Sequence, residues 1–399
     1  LKSLGSVSKA GRAIALMLCV AAAALPASAV ARGTANASIV GGSPIAIENL
    51  PSLAFVQSSN DSYLFNCTGT VVASRVILTA AHCLIEETTV RPADRFAVAT
   101  GISDLRAIRP EDVSGVSQVV VYPGFDLEEL HGDAGLLILS QPTGSPAIRM
   151  ATSADLGLLA AGTPIAIAGW GQTGGQSPLS PVLQAAETVI QRSSYCQRAV
   201  AAYYLSFLPQ AQLCAIDPPS YSTATCHGDS GGPAIARDAS GGLLEIGITS
   251  LGEPECSTYD PNVFTRVDRI SSWVSRWIAA VEQGAPPPDA TVPRLRLPFM
   301  SLSRGRTLVA RSLGEELGSR WKNGRGKRIG CRRIDREKVK CGVSWWQGPN
   351  DYWGTVTVFF LQEQGIVYWN DRYRIHFVND YCWWHSGHRQ TCVIRTFHR

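Results

Sequence analysis

The net charge of this chain reverses sign across a proline-rich segment, and that reversal restricts it to at least two separately folded parts. Residues 39–284 carry 12 Lys and Arg against 23 Asp and Glu, whereas residues 290–399 carry 20 against 8. Between them runs Gly284-Ala285-Pro286-Pro287-Pro288, with Pro293 beyond it, a composition that favours a stiff, extended linker. A change of that size argues for two domains with different partners. Seven of the ten Trp lie beyond residue 300, so aromatic content follows the same divide. At 45% hydrophobic and 17% charged residues the chain has enough apolar material for a real core, which excludes wholesale disorder.

The first residues have a different character. Lys2, Lys9 and Arg12 precede an apolar run at 13–25, and Ala27-Ser28-Ala29 follows as a small-x-small cleavage site. This is the layout of a secretory signal peptide over residues 1–29, with cleavage after Ala29 or Ala31. No apolar run reaches the ~20 residues that a membrane-spanning helix needs, so no stable membrane insertion is expected. Secretion places the mature chain outside the cell, in an oxidising compartment. Cys19 leaves with the leader, and the ten remaining Cys are even in number, which favours a disulfide framework.

Residues 39–283 read as all-β. Short apolar runs such as Val76-Ile77-Leu78, Val119-Val120-Val121 and Leu136-Leu137-Ile138-Leu139 are separated by Gly, Pro, Asp and Ser clusters. The stretch closes with Ile270, Trp273, Val274, Trp277, Ile278 and Val281, a spacing that predicts an amphipathic helix. After the linker at 284–298, residues 299–399 predict a small α+β domain. Leu302, Leu308, Val309, Leu313 and Leu317 suggest a helix, and alternating strands follow, among them 339–345 and 355–359.

Four segments of the first domain carry chemistry. Thr79-Ala80-Ala81-His82-Cys83 sets a His beside a Cys, and Asp133 heads an apolar strand. Gly169-Trp170-Gly171 comes next, followed by Cys226-His227-Gly228-Asp229-Ser230-Gly231-Gly232-Pro233. The order His, Asp, Ser matches one of the known chain orders of a catalytic triad. A serine hydroxyl is a weak nucleophile at neutral pH and needs a base within reach. An imidazole, with a free pKa near ~6.5, can take that proton and return it to the leaving amine. A buried carboxylate holds the imidazole tautomer, and backbone N–H groups of a glycine-rich turn can converge on a developing oxyanion.

Together and in this order, the four segments closely resemble the chymotrypsin/trypsin family of serine proteases, over about residues 39–283. The resemblance implies a double six-stranded antiparallel β-barrel with a C-terminal helix and the active site in the cleft between the barrels. It implies His82, Asp133 and Ser230 as the triad, and the N–H groups of Gly228 and Ser230 as the oxyanion hole. Protein or peptide substrates are then expected, with no cofactor and no metal. Ile39-Val40-Gly41-Gly42 resembles the family's mature N-terminus, so residues 30–38 read as a short propeptide whose removal lets the Ile39 ammonium reach Asp229. The resemblance also pairs Cys67 with Cys83, Cys196 with Cys214 and Cys226 with Cys256.

The same carry-over places the floor of the primary specificity pocket at Ala224, beside Thr225. Ser250-Leu251-Gly252 forms one wall, and Asn262 should narrow the pocket or give it a polar lip. Trypsin-like members carry Asp at the floor, so Ala224 departs from trypsin and implies small or medium neutral residues before the cut bond. Glu255 and Asp260 lie near the rim and are the positions that would restore a basic preference. Ser38, before the proposed activation cut, is itself small and neutral.

In the second domain Cys331 and Cys341 are ten residues apart, as are Cys382 and Cys392, and each pair flanks a polar turn centre. Two cross-strand bridges are the natural reading, although four Cys allow three connectivities. Cys382, His385, His388 and Cys392 also have zinc-like spacing, which the secretory leader disfavours. The mixture of Trp with Lys and Arg suggests adhesion to an anionic surface polymer or polysaccharide, such as a cell-wall polymer or acidic polysaccharide, or to extracellular nucleic acid. Adjacent aromatic pairs also suit a small sheet in which one of each pair faces the core. A monomer is expected.

Overall fold

The computed structural model describes residues 39–398 apart from 61–62, 176, 202–204, 254, 289–292, 294, 296–298, 364–365 and 380–394. The leader, the segment ending at Ser38, and Cys382, His385, His388 and Cys392 therefore lie outside the described residues.

Six strands form a closed antiparallel barrel. They are β1 (Leu53–Ser59), β2 (Leu64–Ala73), β3 (Val76–Thr79), β4 (Phe96–Thr100), β5 (Val113–Val121) and β6 (Gly135–Leu139), joined in the order β1-β2-β3-β6-β5-β4. All five residues of β6 are buried, as a continuous apolar run requires when both faces of a strand are covered.

Six more strands follow: β7 (Pro164–Gly169), β8 (Gln184–Val189), β9 (Gln212–Ala215), β10 (Pro233–Arg237), β11 (Leu243–Leu251) and β12 (Asn262–Arg266). They form one sheet in the order β8-β7-β10-β11-β12-β9, to which Ser43–Pro44 and Arg149–Met150 add short outer pairings. The expectation of a second regular barrel holds only in part. The two ends of this sheet meet through an isolated bridge, Ile190 to Ala215. There Gln191 N–H donates to Cys214 O at 2.9 Å and Ile216 N–H to Val189 O at 3.1 Å. The ends therefore share a few bonds rather than a full strand ladder.

Helix α1 (Ser193–Ala201) leads to β9, and α2 (Val267–Gln283) closes the unit. Ile270, Trp273, Val274 and Trp277 are the buried stripe of α2, at the helical spacing seen in the sequence. The helix ends at Gly284, whose φ of 61° is the left-handed C-cap conformation, and its N–H bonds the Ala280 and Val281 carbonyls.

A separate buried cluster forms the C-terminal region. Helices α3 (Leu302–Glu316) and α4 (Ser319–Lys322) precede a five-stranded antiparallel meander. Its strands are β13 (Arg325–Arg333), β14 (Lys338–Gln347), β15 (Asn350–Glu363), β16 (Ile366–Asn379) and β17 (Arg395–His398), paired in chain order. Leu308, Val309 and Leu313 of α3 pack with Val339, Val343, Val356 and Ile375 of one sheet face. A disulfide joins Cys331 and Cys341 directly across β13 and β14, with Cα atoms 4.0 Å apart.

Candidate active site

His82 sits in a short 3-10 turn, Ala81–Leu84, that follows β3. The turn is tied to β2 by the Cys67–Cys83 disulfide, with Cα atoms 6.3 Å apart. Asp133 lies two residues before β6 and is fully buried. Its carboxylate collects three donors. Oδ2 lies 2.7 Å from His82 Nδ1, Oδ1 accepts the His82 backbone N–H at 2.9 Å, and Oδ2 accepts the Ser250 hydroxyl at 2.6 Å. A buried carboxylate needs such partners, because desolvation without them is expensive. The first two bonds fix the imidazole ring and its tautomer, with Nδ1 the protonated nitrogen toward Asp133.

His82 Nε2 is buried and has no hydrogen-bond partner in this structure. The Ser230 carbonyl lies 3.7 Å from Cys83 Sγ, next to His82, and no hydrogen bond joins the Ser230 hydroxyl to Nε2 here. Such bonds are often long before substrate arrives.

The loop carrying Ser230 is pinned to the first barrel by one residue, Thr68. Its N–H donates to Ser230 O at 2.8 Å and its hydroxyl to Gly228 O at 2.9 Å. The sequence reading missed Thr68, whose one visible signal is its place beside Cys67. Gly228 has a φ of +98°, which an L side chain rarely adopts. Among the described residues neither the Gly228 nor the Ser230 N–H has a protein acceptor.

Asp229, between them, is wholly buried. Its carboxylate accepts the N–H groups of Gly171 at 2.8 Å and Cys226 at 2.9 Å. A Cβ on Gly169 or Gly171 would overlap this carboxylate, which is why Trp170 is flanked by glycines. Burial pushes the Asp229 pKa up to about 7, against the opposing pull of those two N–H groups. Ile39 is fully buried too, and Val40 pairs with Ala224 on the segment leading to Ser230. No hydrogen bond joins Ile39 to Asp229 while the chain is continuous, where the Ile39 nitrogen is an uncharged amide.

Around the expected specificity pocket, Ala224 is fully buried. Asn262 is 4% exposed, and its Oδ1 accepts the Thr225 N–H at 2.9 Å. A Cβ on Gly252 would lie 2.9 Å from Asn262 Nδ2, so this side chain spans from the Thr225 segment to the Gly252 segment. Asn262 thus ties two walls together, a role the sequence reading had not assigned. Ser250, read as a wall residue, spends its hydroxyl on Asp133. Leu251 pairs with Val263 and is half-buried. Disulfides Cys196–Cys214 and Cys226–Cys256 brace α1 against β9 and the pocket segments against each other.

Cys67, Cys83 and His82 offer ligand atoms within 4.8 Å of one another. Both sulfurs are committed to the disulfide and Nδ1 to Asp133, so this cluster has no donor set for a metal.

Residues 39–274 match the trypsin family. The chain belongs to the trypsin family. It is 29% identical over 279 residues to a trypsin-like protease of Streptomyces glaucescens, covering 70% of this chain and 95% of that one. It is 30% identical over 240 residues to mast cell protease 3 of Ovis aries, covering 60% and 88%. Against chymotrypsin-like elastase family member 1 of Bos taurus it is 30% identical over 253 residues, covering 61% and 91%. This trypsin-family chain is a serine endopeptidase. No helix among its described residues is long and apolar enough to cross a membrane.

Proposed function

We propose that Ser230 is the nucleophile of this endopeptidase, His82 its general base and acid, and Asp133 the group that orients His82. The carrying observation is the buried Asp133 carboxylate, bonded to the backbone N–H and ring Nδ1 of His82 and to the Ser250 hydroxyl. Ser230 attacks the scissile carbonyl as its proton passes to His82 Nε2. The oxyanion forms against the Gly228 and Ser230 N–H groups, and His82 then protonates the leaving amine. Water repeats the sequence on the acyl-enzyme. Ser230→Ala should abolish hydrolysis of a peptide substrate in a folded protein, and hydrolysis equal to the parent's would refute the assignment.

Ala224, Thr225, Ser250, Leu251, Gly252 and Asn262 are read as lining a neutral pocket for small or medium P1 side chains. A floor without charge supports this reading, since one methylene is worth only ~1–3 kcal/mol in an apolar site and the preference stays soft. Cleavage of a peptide library by protein beginning at Ile39 tests it, and dominant cutting after Arg or Lys would overturn it. Maturation before Ile39 charges its nitrogen and supplies an ammonium for buried Asp229. The protease acts outside the cell as a monomer, and the basic C-terminal region, residues 299–399, tethers it to an anionic polymer.

A further inference from the structure

Among the described residues, helices cover one face of the C-terminal sheet. On the other, alternate residues of the five strands point outward, and those of three adjacent rows are exposed or half-buried. Their register sets three parallel rows across the strands. The middle row is Gly330, Gly342, Thr355, Arg374 and His398. One flanking row is Arg328, Ser344, Trp353, His376 and Thr396, and the other is Arg332, Lys340, Thr357 and Arg372.

No Asp or Glu occupies these rows. Arg328, Arg332, Lys340, Arg372 and Arg374 form no ion pair among the described residues. The two glycines face open space: a Cβ on Gly330 would meet nothing within 4 Å, and one on Gly342 only a backbone oxygen at 4.0 Å. Two glycines and a threonine between rows of long side chains make a trough across the sheet. With ~3.3 Å per residue and ~4.8 Å between strands, it is about 13 Å between flanking rows and about 10 Å along its glycine and threonine floor, with exposed Arg374 standing at its end. Cations stand on both sides, and Trp353, 37% exposed, stands in one wall.

We propose that this trough binds an extended acidic polysaccharide. The inference rests on the reading of the C-terminal region as a polyanion tether and assigns that tether a site. Arg332, Lys340 and Arg372 on one rim and Arg328 on the other suit a chain that carries negative charge along its length, and Trp353 offers a ring for a sugar to pack on. Single-stranded nucleic acid is disfavoured because the rings of Trp353 and His376 lie together in one wall, 5.8 Å apart, while the floor presents glycine and threonine with no ring for successive bases.

The test uses the full chain and heparin as the acidic polysaccharide, with oligo-dT of matching length as the rival and hydrolysis of a short peptide as the control. Heparin should bind, more weakly as salt rises. Arg332→Glu with Arg372→Glu should weaken binding at least tenfold. Gly342→Tyr, which fills the floor at constant net charge, should also weaken it at least tenfold. Peptide hydrolysis should stay at the parent's level in both variants, and an intact Cys331–Cys341 disulfide with a parent-like thermal melt of the full chain shows that the C-terminal sheet still forms. Tighter binding of oligo-dT than of heparin would overturn the choice of ligand. Heparin binding that survives Gly342→Tyr would overturn the trough while leaving the tether reading intact. No heparin binding by the parent would overturn both, and neither result touches the protease assignment.

Discussion

The hydroxyl of Ser250 donates to Oδ2 of Asp133 across 2.6 Å, from strand β11 of the second sheet to the head of β6 in the first barrel. The carboxylate that orients His82 is therefore held from the opposite half of the molecule. A hydrogen bond to a charged group contributes about 1.5–3 kcal/mol. Ser250→Ala should lower kcat/KM roughly tenfold or more on this ground. Steady-state kinetics on a peptide substrate check it, and an unchanged kcat/KM would show that Asp133 is held well enough by His82 alone.

Strand β11 makes a second crossing. Glu245, fully buried, accepts the Thr70 hydroxyl of β2 at 3.0 Å through Oε1, while Oε2 has no partner. Burial is the main cause of a pKa pushed up to about 8, with the Thr70 bond opposing it. A carboxyl whose folded pKa exceeds its unfolded one binds more protons when folded. Its stability contribution is full below the unfolded value of 4.5 and is lost as pH rises through about 8. Glu245→Gln keeps an acceptor for Thr70 and removes the titration. Denaturant melts at pH 5 and pH 8.5 should show the parent losing more stability than the variant. Parallel losses in the two proteins would contradict it.

Asp229 lies in the same sign regime in the continuous chain, with a pKa of about 7. In the processed protein an Ile39 ammonium beside it would favour the carboxylate instead. Asp229→Asn in protein beginning at Ile39 leaves a buried ammonium unpaired, a loss of about 3–5 kcal/mol. Activity should fall by two orders of magnitude or more, read as kcat/KM on a peptide. Parent-like activity would separate Asp229 from activation.

Processing itself is open to test. Ser38 is small and neutral, as is Ala224 at the expected pocket floor. A Ser230→Ala precursor should remain uncut alone and be cut before Ile39 when mature enzyme is added, as N-terminal sequencing would show. An intact Ser38–Ile39 bond would contradict both self-activation and the small-neutral pocket.

Much of this architecture was legible because local signals agreed. His82, Asp133 and Ser230 each sit in a short, distinctive segment, and the α2 stripe of Ile270, Trp273, Val274 and Trp277 has one period. Contacts between distant segments were less visible. Ser250 and Asp133 are 117 residues apart, and Glu245 and Thr70 are 175 apart. Nothing in a strand's own alternation says that a Glu faces inward toward a hydroxyl. The bond from Thr225 to Asn262 was not legible, because it depends on how the start of β12 meets the segment before Ser230. The basic trough needed the register of five strands, which sets Gly330 beside Gly342, and charge counting alone shows only an excess of Arg and Lys.

The central claim is that Ser230 is an activated nucleophile. Intact-mass analysis after exposure to a fluorophosphonate tests it most directly, using protein beginning at Ile39. One adduct should form, map to the peptide containing Ser230, and be absent in both Ser230→Ala and His82→Ala. An unlabelled parent, or equal labelling of Ser230→Ala, would contradict the account.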